Sequence, residues 1–88
     1  MKELENKIIE SANTVPLYNG YGYRIINDLM RRIARIMKYE IYTYRNGHWS
    51  FKNPEDRERV CKIIEGMENK GIIKVSKSGQ AYKVLENR

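Results

Sequence analysis

The chain has few of the residues on which enzymes and metal sites depend. Its 88 residues include one cysteine, one histidine and two aspartates. A single cysteine excludes an internal disulfide bond, and a single histidine excludes the usual Cys/His zinc sites. The sequence has no Ser/His/Asp or Cys/His arrangement and no glycine-rich phosphate loop. We therefore expect no cofactor, no metal and no enzymatic activity.

Long hydrophobic runs are also absent. Hydrophobic residues make up 41% of the chain, and no apolar run approaches the roughly 18 residues that indicate a membrane span. The N-terminal sequence MKELENKIIESA lacks the apolar core of a signal peptide. A chain of this length supports one core, so we expect a single cytoplasmic domain without membrane contact. Cys61, in the apolar stretch VCKII, is predicted to be buried and unreactive.

Positive charge is what the chain has in excess. The net charge is +6, of which +5 lies in residues 21–52 and +3 in residues 72–88, while residues 1–20 and 53–71 each carry −1. A basic surplus concentrated in two blocks predicts a polyanionic partner. Eleven isoleucines against three alanines are typical of an AT-rich genome, whether archaeal or viral, or of a thermophile.

The spacing of apolar residues predicts three amphipathic helices. The first covers residues 2–12, the second runs from Gly22 to Lys38, and the third follows the N-cap Asn53 and ends before Gly71. The second helix has an apolar half and a basic half, and the basic half is either solvated or bound to an anion. Its cations are Arg24, Arg31, Arg32, Arg35 and Lys38.

Residues 16–23, PLYNGYGY, separate the first two helices and are predicted to form a loop. Three tyrosines in so short a loop are unusual. Either their rings pack back onto the core, or the loop is a flexible arm that contacts a ligand.

Residues 41–52, IYTYRNGHWSFK, predict a β-hairpin with a type I′ turn at Asn46-Gly47. In that register Tyr44 lies opposite Trp49 and Tyr42 lies opposite Phe51, so the four aromatic rings share one face. Such a face is either part of the core or a docking surface for a protein or for nucleobases.

Residues 61–84, CKIIEGMENKGIIKVSKSGQAYKV, combine a helix that stops at Gly71 with an alternating hairpin whose Ser78-Gly79 turn follows Lys77. This stretch resembles the third helix and wing of the winged helix-turn-helix family. The resemblance implies binding to duplex DNA, with a helix in the major groove and the wing along the backbone or minor groove. When the DNA contacts of the family are transferred by position, the resemblance implies contacts from Arg57, Arg59 and Lys62 on the helix. On the wing it implies contacts from Lys74, Lys77 and Lys83.

Two features depart from the family pattern. An Asn-Gly hairpin stands where the family has a short helix and tight turn before the recognition helix. The outward face of the third helix also mixes Glu55, Glu58 and Glu65 with Arg59 and Lys62, which is unfavourable next to phosphates. Whether the second or the third helix reads DNA is therefore left open.

Together these patterns predict a small α+β domain, winged-helix-like, with the order helix, helix, hairpin, helix, hairpin. The predicted function is binding to nucleic acid, with duplex DNA favoured and RNA as the other polyanion, in a homodimeric regulator of transcription. Bases would be read by Arg31, Arg35 or Gln80. The alternative is a protein-interaction module that docks through the aromatic hairpin. Phosphate contacts are expected from Arg24, Arg31, Arg32, Arg35, Lys38, Lys74, Lys77 and Lys83.

Overall fold

The computed structural model describes residues 2–18 and 20–85. The elements, in chain order, are α1 (Lys2–Thr14), β1 (Tyr23–Ile25), α2 (Ile26–Ile36), β2 (Ile41–Thr43), β3 (Trp49–Phe51), α3 (Pro54–Asn69), β4 (Ile73–Val75) and β5 (Ala81–Val84). The α+β class and the order of helices and hairpins are confirmed. Strand β1 was not predicted.

The core lies where the three helices meet the inner face of one antiparallel sheet. The sheet has the strand order β1-β5-β4, while β2 and β3 form a separate two-stranded sheet. Each helix contributes apolar residues three or four positions apart, which places them on one face. The buried cluster comprises Ile8, Ala12, Val15, Ile26, Leu29, Ile33, Val60, Ile64, Met67, Ile73 and Tyr82.

Helix α2 begins four residues later than the sequence pattern predicts. Residues 23–25 are extended, and β1 pairs Tyr23 with Lys83 and Ile25 with Ala81 of β5. The N-cap Ile25 makes no side-chain cap, and the Ile26 amide donates instead to the Gln80 carbonyl at 2.9 Å. Residues 23–25, which apolar periodicity alone assigns to the helix, therefore form a strand instead. As a result, Arg24 does not belong to the basic helix face.

Helices α2 and α3 end in the same way. Lys38 after α2 and Gly71 after α3 both adopt the left-handed conformation, with φ of 62° and 76°. In each case the next amide bonds back five residues: Tyr39 to the Ala34 carbonyl at 2.8 Å, and residue 72 to residue 67 at 3.0 Å. This pattern is a Schellman motif, in which glycine is the usual left-handed residue. The glycine stop of α3 is confirmed, whereas α2 places a lysine in a strained position.

The β2–β3 hairpin has a different register from the predicted one. Thr43 lies opposite Trp49 and Ile41 lies opposite Phe51. The loop has three residues, because the Tyr44 amide bonds to residue 48 at 2.8 Å and the residue 47 amide bonds back to Tyr44 at 3.1 Å. Only the last loop residue, a glycine, has a positive φ, of 83°. This is a type I turn followed by a left-handed glycine, so the type I′ prediction is wrong.

The shifted register separates the four aromatic residues of this hairpin. Trp49 and Phe51 are half-buried, and their rings meet edge to face with centroids 4.9 Å apart. Tyr42 and Tyr44 lie on the other face and are exposed. A one-residue slip moves every side chain to the opposite face, and the predicted four-aromatic face is therefore wrong.

Two further predictions about burial are corrected. Tyr18 and Tyr21 do not pack onto the core, since they are 55% and 79% exposed, while Asn19 between them lies outside the described residues. Cys61 is exposed rather than buried. It follows Val60, which faces the core, and successive helical residues are rotated by about 100°, so Cys61 turns away from the core.

Candidate nucleic-acid interface

The carboxyl end of α1 is held by two arginines from elsewhere in the chain. Arg24 Nη1 donates to the Val15 carbonyl, and Arg32 Nη1 donates to Thr14 Oγ1 at 2.7 Å. The last turn of α1 has no basic residue of its own, and cations there favour the negative end of the helix dipole. Arg24 and Arg32 thus have structural partners, which leaves them less available for the phosphate contacts predicted for them.

Tyr82 completes this arrangement from β5. Its side chain is buried, and its hydroxyl donates to the Ala12 carbonyl at 2.7 Å. Burial raises the pKa of Tyr82 well above its ordinary value, against the smaller lowering effect of nearby Arg24 and Arg32. Tyr82 therefore keeps its proton and serves as a permanent donor to the end of α1.

The remaining cations of α2 lie on its outer side. Arg31 and Arg35 line one surface groove together with Asp28, Arg32 and Pro16. Within the described residues neither Arg31 nor Arg35 forms an ion pair, and Arg31 Nε is buried without a hydrogen-bond partner. Like charges four positions apart on a helix repel each other. The groove therefore attracts an anion. Lys38, just beyond the end of α2, is exposed as well.

The outer face of α3 carries charges of both signs. Arg59 is engaged by Asp56 at 2.6 Å and by Glu55 at 3.6 Å. Arg57 and Lys62 are exposed and share one shallow depression with Glu58, Cys61 and Glu65. A face that mixes carboxylates with cations attracts phosphate less than the α2 groove does.

The β4–β5 hairpin places two lysines directly opposite each other. Lys74 pairs in register with Lys83, and both are exposed. Lys77 follows in the loop between the strands and is exposed too. Within the described part of the chain none of the three forms an ion pair. Like charges directly opposite each other in an antiparallel pair are destabilising, so this hairpin maintains an unfavourable positive charge.

A row of side chains crosses the outer face of the sheet. Tyr23 of β1, Lys83 of β5 and Lys74 of β4 are consecutive register partners. Lys83 Nζ lies 6.0 Å from the centre of the Tyr23 ring. The sequence patterns missed Tyr23, because its part in the row depends on pairing with β5. The alternation of Tyr23 and Ile25 around Arg24 was the available signal for a strand.

The structure brings some of the residues that are predicted to contact phosphate together and separates others. Lys74, Lys77 and Lys83 form one group on the second hairpin, and Arg31 and Arg35 form another on α2. Among residues 2–18 and 20–85, no group of three His, Cys, Asp or Glu side chains is placed to hold a metal ion, and no helix is long and apolar enough to cross a membrane.

Comparisons with models of protein families, with curated proteins and with solved structures found no match to this chain. The resemblance of residues 61–84 to a winged helix-turn-helix wing stays a prediction.

Proposed function

We propose that this chain binds nucleic acid without catalysing a reaction, with duplex DNA as the preferred ligand. The observation that carries the proposal is the register pair of Lys74 and Lys83 on the β4–β5 hairpin. Two lysines opposite each other lower the stability of the free protein. A phosphate backbone lying across the hairpin removes this repulsion and releases condensed counterions.

Arg31 and Arg35 supply a second set of phosphate contacts from α2. Both lack acidic partners among the described residues, and a guanidinium matches the geometry of phosphate with two parallel hydrogen bonds. The charge distribution favours α2 over α3 as the helix nearest the backbone, because Arg59 already pairs with Asp56. Base reading is proposed for Arg31, Arg35 or Gln80. We further propose that the protein uses this binding to regulate transcription in the cytoplasm.

The decisive experiment is fluorescence anisotropy with a labelled blunt duplex, titrated at several salt concentrations. Wild type should bind with a steep negative log-log salt slope. Arg31→Glu combined with Arg35→Glu should weaken binding and reduce the slope by about two units, since each lost phosphate contact removes about one. The control, Arg57→Glu on α3, lies outside the groove proposed for the dimer and should leave the slope unchanged. A slope that falls only in the α3 variant would make α3 the reading helix, and no binding at low salt would overturn the proposal.

The predicted homodimer belongs to the same proposal. An apolar groove runs between α1 and α3 and includes half-buried Leu4, Ile9 and Ile63. Glu5 of α1 pairs with Lys70 across this groove at 3.1 Å, and Lys62 lies on its α3 side. If the same groove of a second copy packed against it, the apolar side chains of both grooves would be removed from water. A second copy is therefore the proposed occupant. Sedimentation of wild type and Ile63→Glu tests this, because a monomeric wild type would contradict the dimer.

A further inference from the structure

Two pairs of exposed tyrosines lie on the surface, and their electrostatic surroundings differ. Tyr18 and Tyr21 lie in the connection between α1 and β1. We call residues 17–18 and 20–22 of this connection the tyrosine arm. Tyr42 and Tyr44 belong to the β2–β3 hairpin and are 48% and 54% exposed. Lys52 lies over Tyr42 at 6.0 Å, but it also pairs with Glu40 at 3.3 Å. The Lys52 charge beside Tyr42 is therefore largely neutralised.

The tyrosine arm is held beside Lys83 of the β4–β5 hairpin. The Tyr18 amide donates to the Tyr23 carbonyl at 3.0 Å, and Leu17 bridges to Arg24. These bonds close the arm against β1, the neighbour of β5 in the sheet. A Cβ built on Gly22 would lie 3.7 Å from Lys83 Cε. The backbone of the arm thus reaches the Lys83 side chain.

Exposed aromatic rings beside a lysine that forms no ion pair with any described residue suit single-stranded nucleic acid. Bases stack on tyrosine rings, and lysines neutralise the adjoining phosphates. Within a duplex the faces of the internal bases are covered by their neighbours, so a tyrosine stacks on an unpaired base without the cost of unstacking a base pair. We infer that Tyr18 and Tyr21 stack on unpaired bases next to Lys83, and that the preferred ligand is a duplex with a single-stranded extension.

This inference rests on the proposed function, because Lys74 and Lys83 are the phosphate contacts that bring the extension to the arm. The two are nonetheless separable. The phosphate-binding proposal concerns the blunt duplex, while the inference concerns only the affinity that the extension adds.

The experiment compares three labelled DNAs in anisotropy titrations: a blunt duplex, the same duplex with a four-base overhang, and that duplex with an abasic overhang. Wild type should bind the base-containing overhang about tenfold or more tightly than the abasic one, since stacking on an aromatic side chain contributes roughly five- to 150-fold per base. Tyr18→Ala with Tyr21→Ala should abolish this difference and leave the affinity for the blunt duplex unchanged.

Two variants keep the test specific. Tyr18→Phe with Tyr21→Phe retains the rings and should retain the preference for the overhang. Tyr42→Ala with Tyr44→Ala removes two similarly exposed tyrosines from the β2–β3 hairpin and should also retain it. Circular dichroism establishes that each variant is folded. To separate loss of stacking from loss of structure in the arm, 2-aminopurine placed in the overhang gives an independent reading on wild type, where stacking should quench its fluorescence.

The outcomes separate the two proposals. Equal affinity of wild type for the blunt duplex and the base-containing overhang would overturn the inference and leave phosphate binding intact. Unquenched 2-aminopurine in the bound complex would overturn it too. Loss of the overhang preference in the Tyr42/Tyr44 variant, with retention in the Tyr18/Tyr21 variant, would transfer the stacking site to the other hairpin. Failure to bind the blunt duplex would count against the proposed function itself.

Discussion

The two hairpins of this protein have the same number of strands but different support. The β4–β5 hairpin joins β1 in a three-stranded sheet and buries Ile73, Ala81 and Tyr82. Among the described residues the β2–β3 hairpin has no third strand, and none of its six strand residues is fully buried. Two strands alone are marginally stable in water. The hairpin that belongs to the larger sheet thus tolerates an unfavourable lysine pair, while the two-stranded one, which contacts the core through Phe51, has Lys52 paired with Glu40.

The helices that lead into the hairpins differ in a related way. Both end at a left-handed residue, but α3 uses Gly71 before β4, while α2 uses Lys38 before β2. A side chain in that conformation crowds the backbone. The start of the β2–β3 hairpin is therefore strained, and the start of the β4–β5 hairpin is not.

The largest expected difference between the hairpins is in the cost of truncating an isoleucine. Ile73→Ala in β4 should lower the free energy of unfolding by about 3 kcal/mol, because the side chain is 1% exposed and leaves a cavity. Ile41→Ala in β2 should cost about 1 kcal/mol, since Ile41 is half-buried. Urea denaturation of both variants measures the two values. Equal losses would show that the β2–β3 hairpin is as much a part of the core as β4–β5.

A smaller loss in the free energy of unfolding is expected when Tyr82 is replaced, and the contribution of Tyr82 should depend on pH. Tyr82→Phe should cost about 1 kcal/mol through loss of the hydrogen bond to the Ala12 carbonyl. The raised pKa of Tyr82 means that the unfolded tyrosine releases its proton near pH 10.0, whereas the folded one retains it. The contribution of protonated Tyr82 to stability is therefore fully present below pH 10.0, and it declines as the pH rises above that value. Chemical denaturation from pH 8 upward should show a weaker decline in Tyr82→Phe, and parallel curves would contradict the burial effect.

The two helix ends should respond in opposite directions to reciprocal substitutions. Lys38→Gly should raise the free energy of unfolding by about 1 kcal/mol, because glycine adopts positive φ without strain. Gly71→Ala should lower it by about 1 kcal/mol for the same reason. Thermal melts of both variants measure the changes. A loss of stability in Lys38→Gly would mean that the lysine side chain makes a compensating contact.

The smallest expected change in stability tests the lysine pair. Lys74→Glu places opposite charges in register with Lys83 and should stabilise the protein by about 0.5 kcal/mol. The same substitution should weaken binding to duplex DNA and flatten its salt dependence. Lys52→Glu in the other hairpin is the control, and it should leave DNA affinity unchanged. A variant that gains stability without losing affinity would show that the pair does not contact phosphate.

The site was only partly predictable. Charge counts located the basic segments, but they did not show which cations have partners within the protein. An arginine that bonds to the end of a helix and one that forms no ion pair look the same in sequence. Arg32 contacts Thr14, which is 18 positions away, whereas Arg31 beside it makes no ion pair with a described residue.

The sequence by itself determined the α+β class, the three helices and the place of both hairpins. Apolar periodicity, the Asn53 cap and the Gly71 stop act within a few residues and need no distant partner. Tertiary structure alone decided strand β1, the register of β2 with β3 and the partners of Arg24. Each depends on contacts between residues far apart in the chain or on a turn whose alternatives differ little in energy. Local patterns do not encode such contacts.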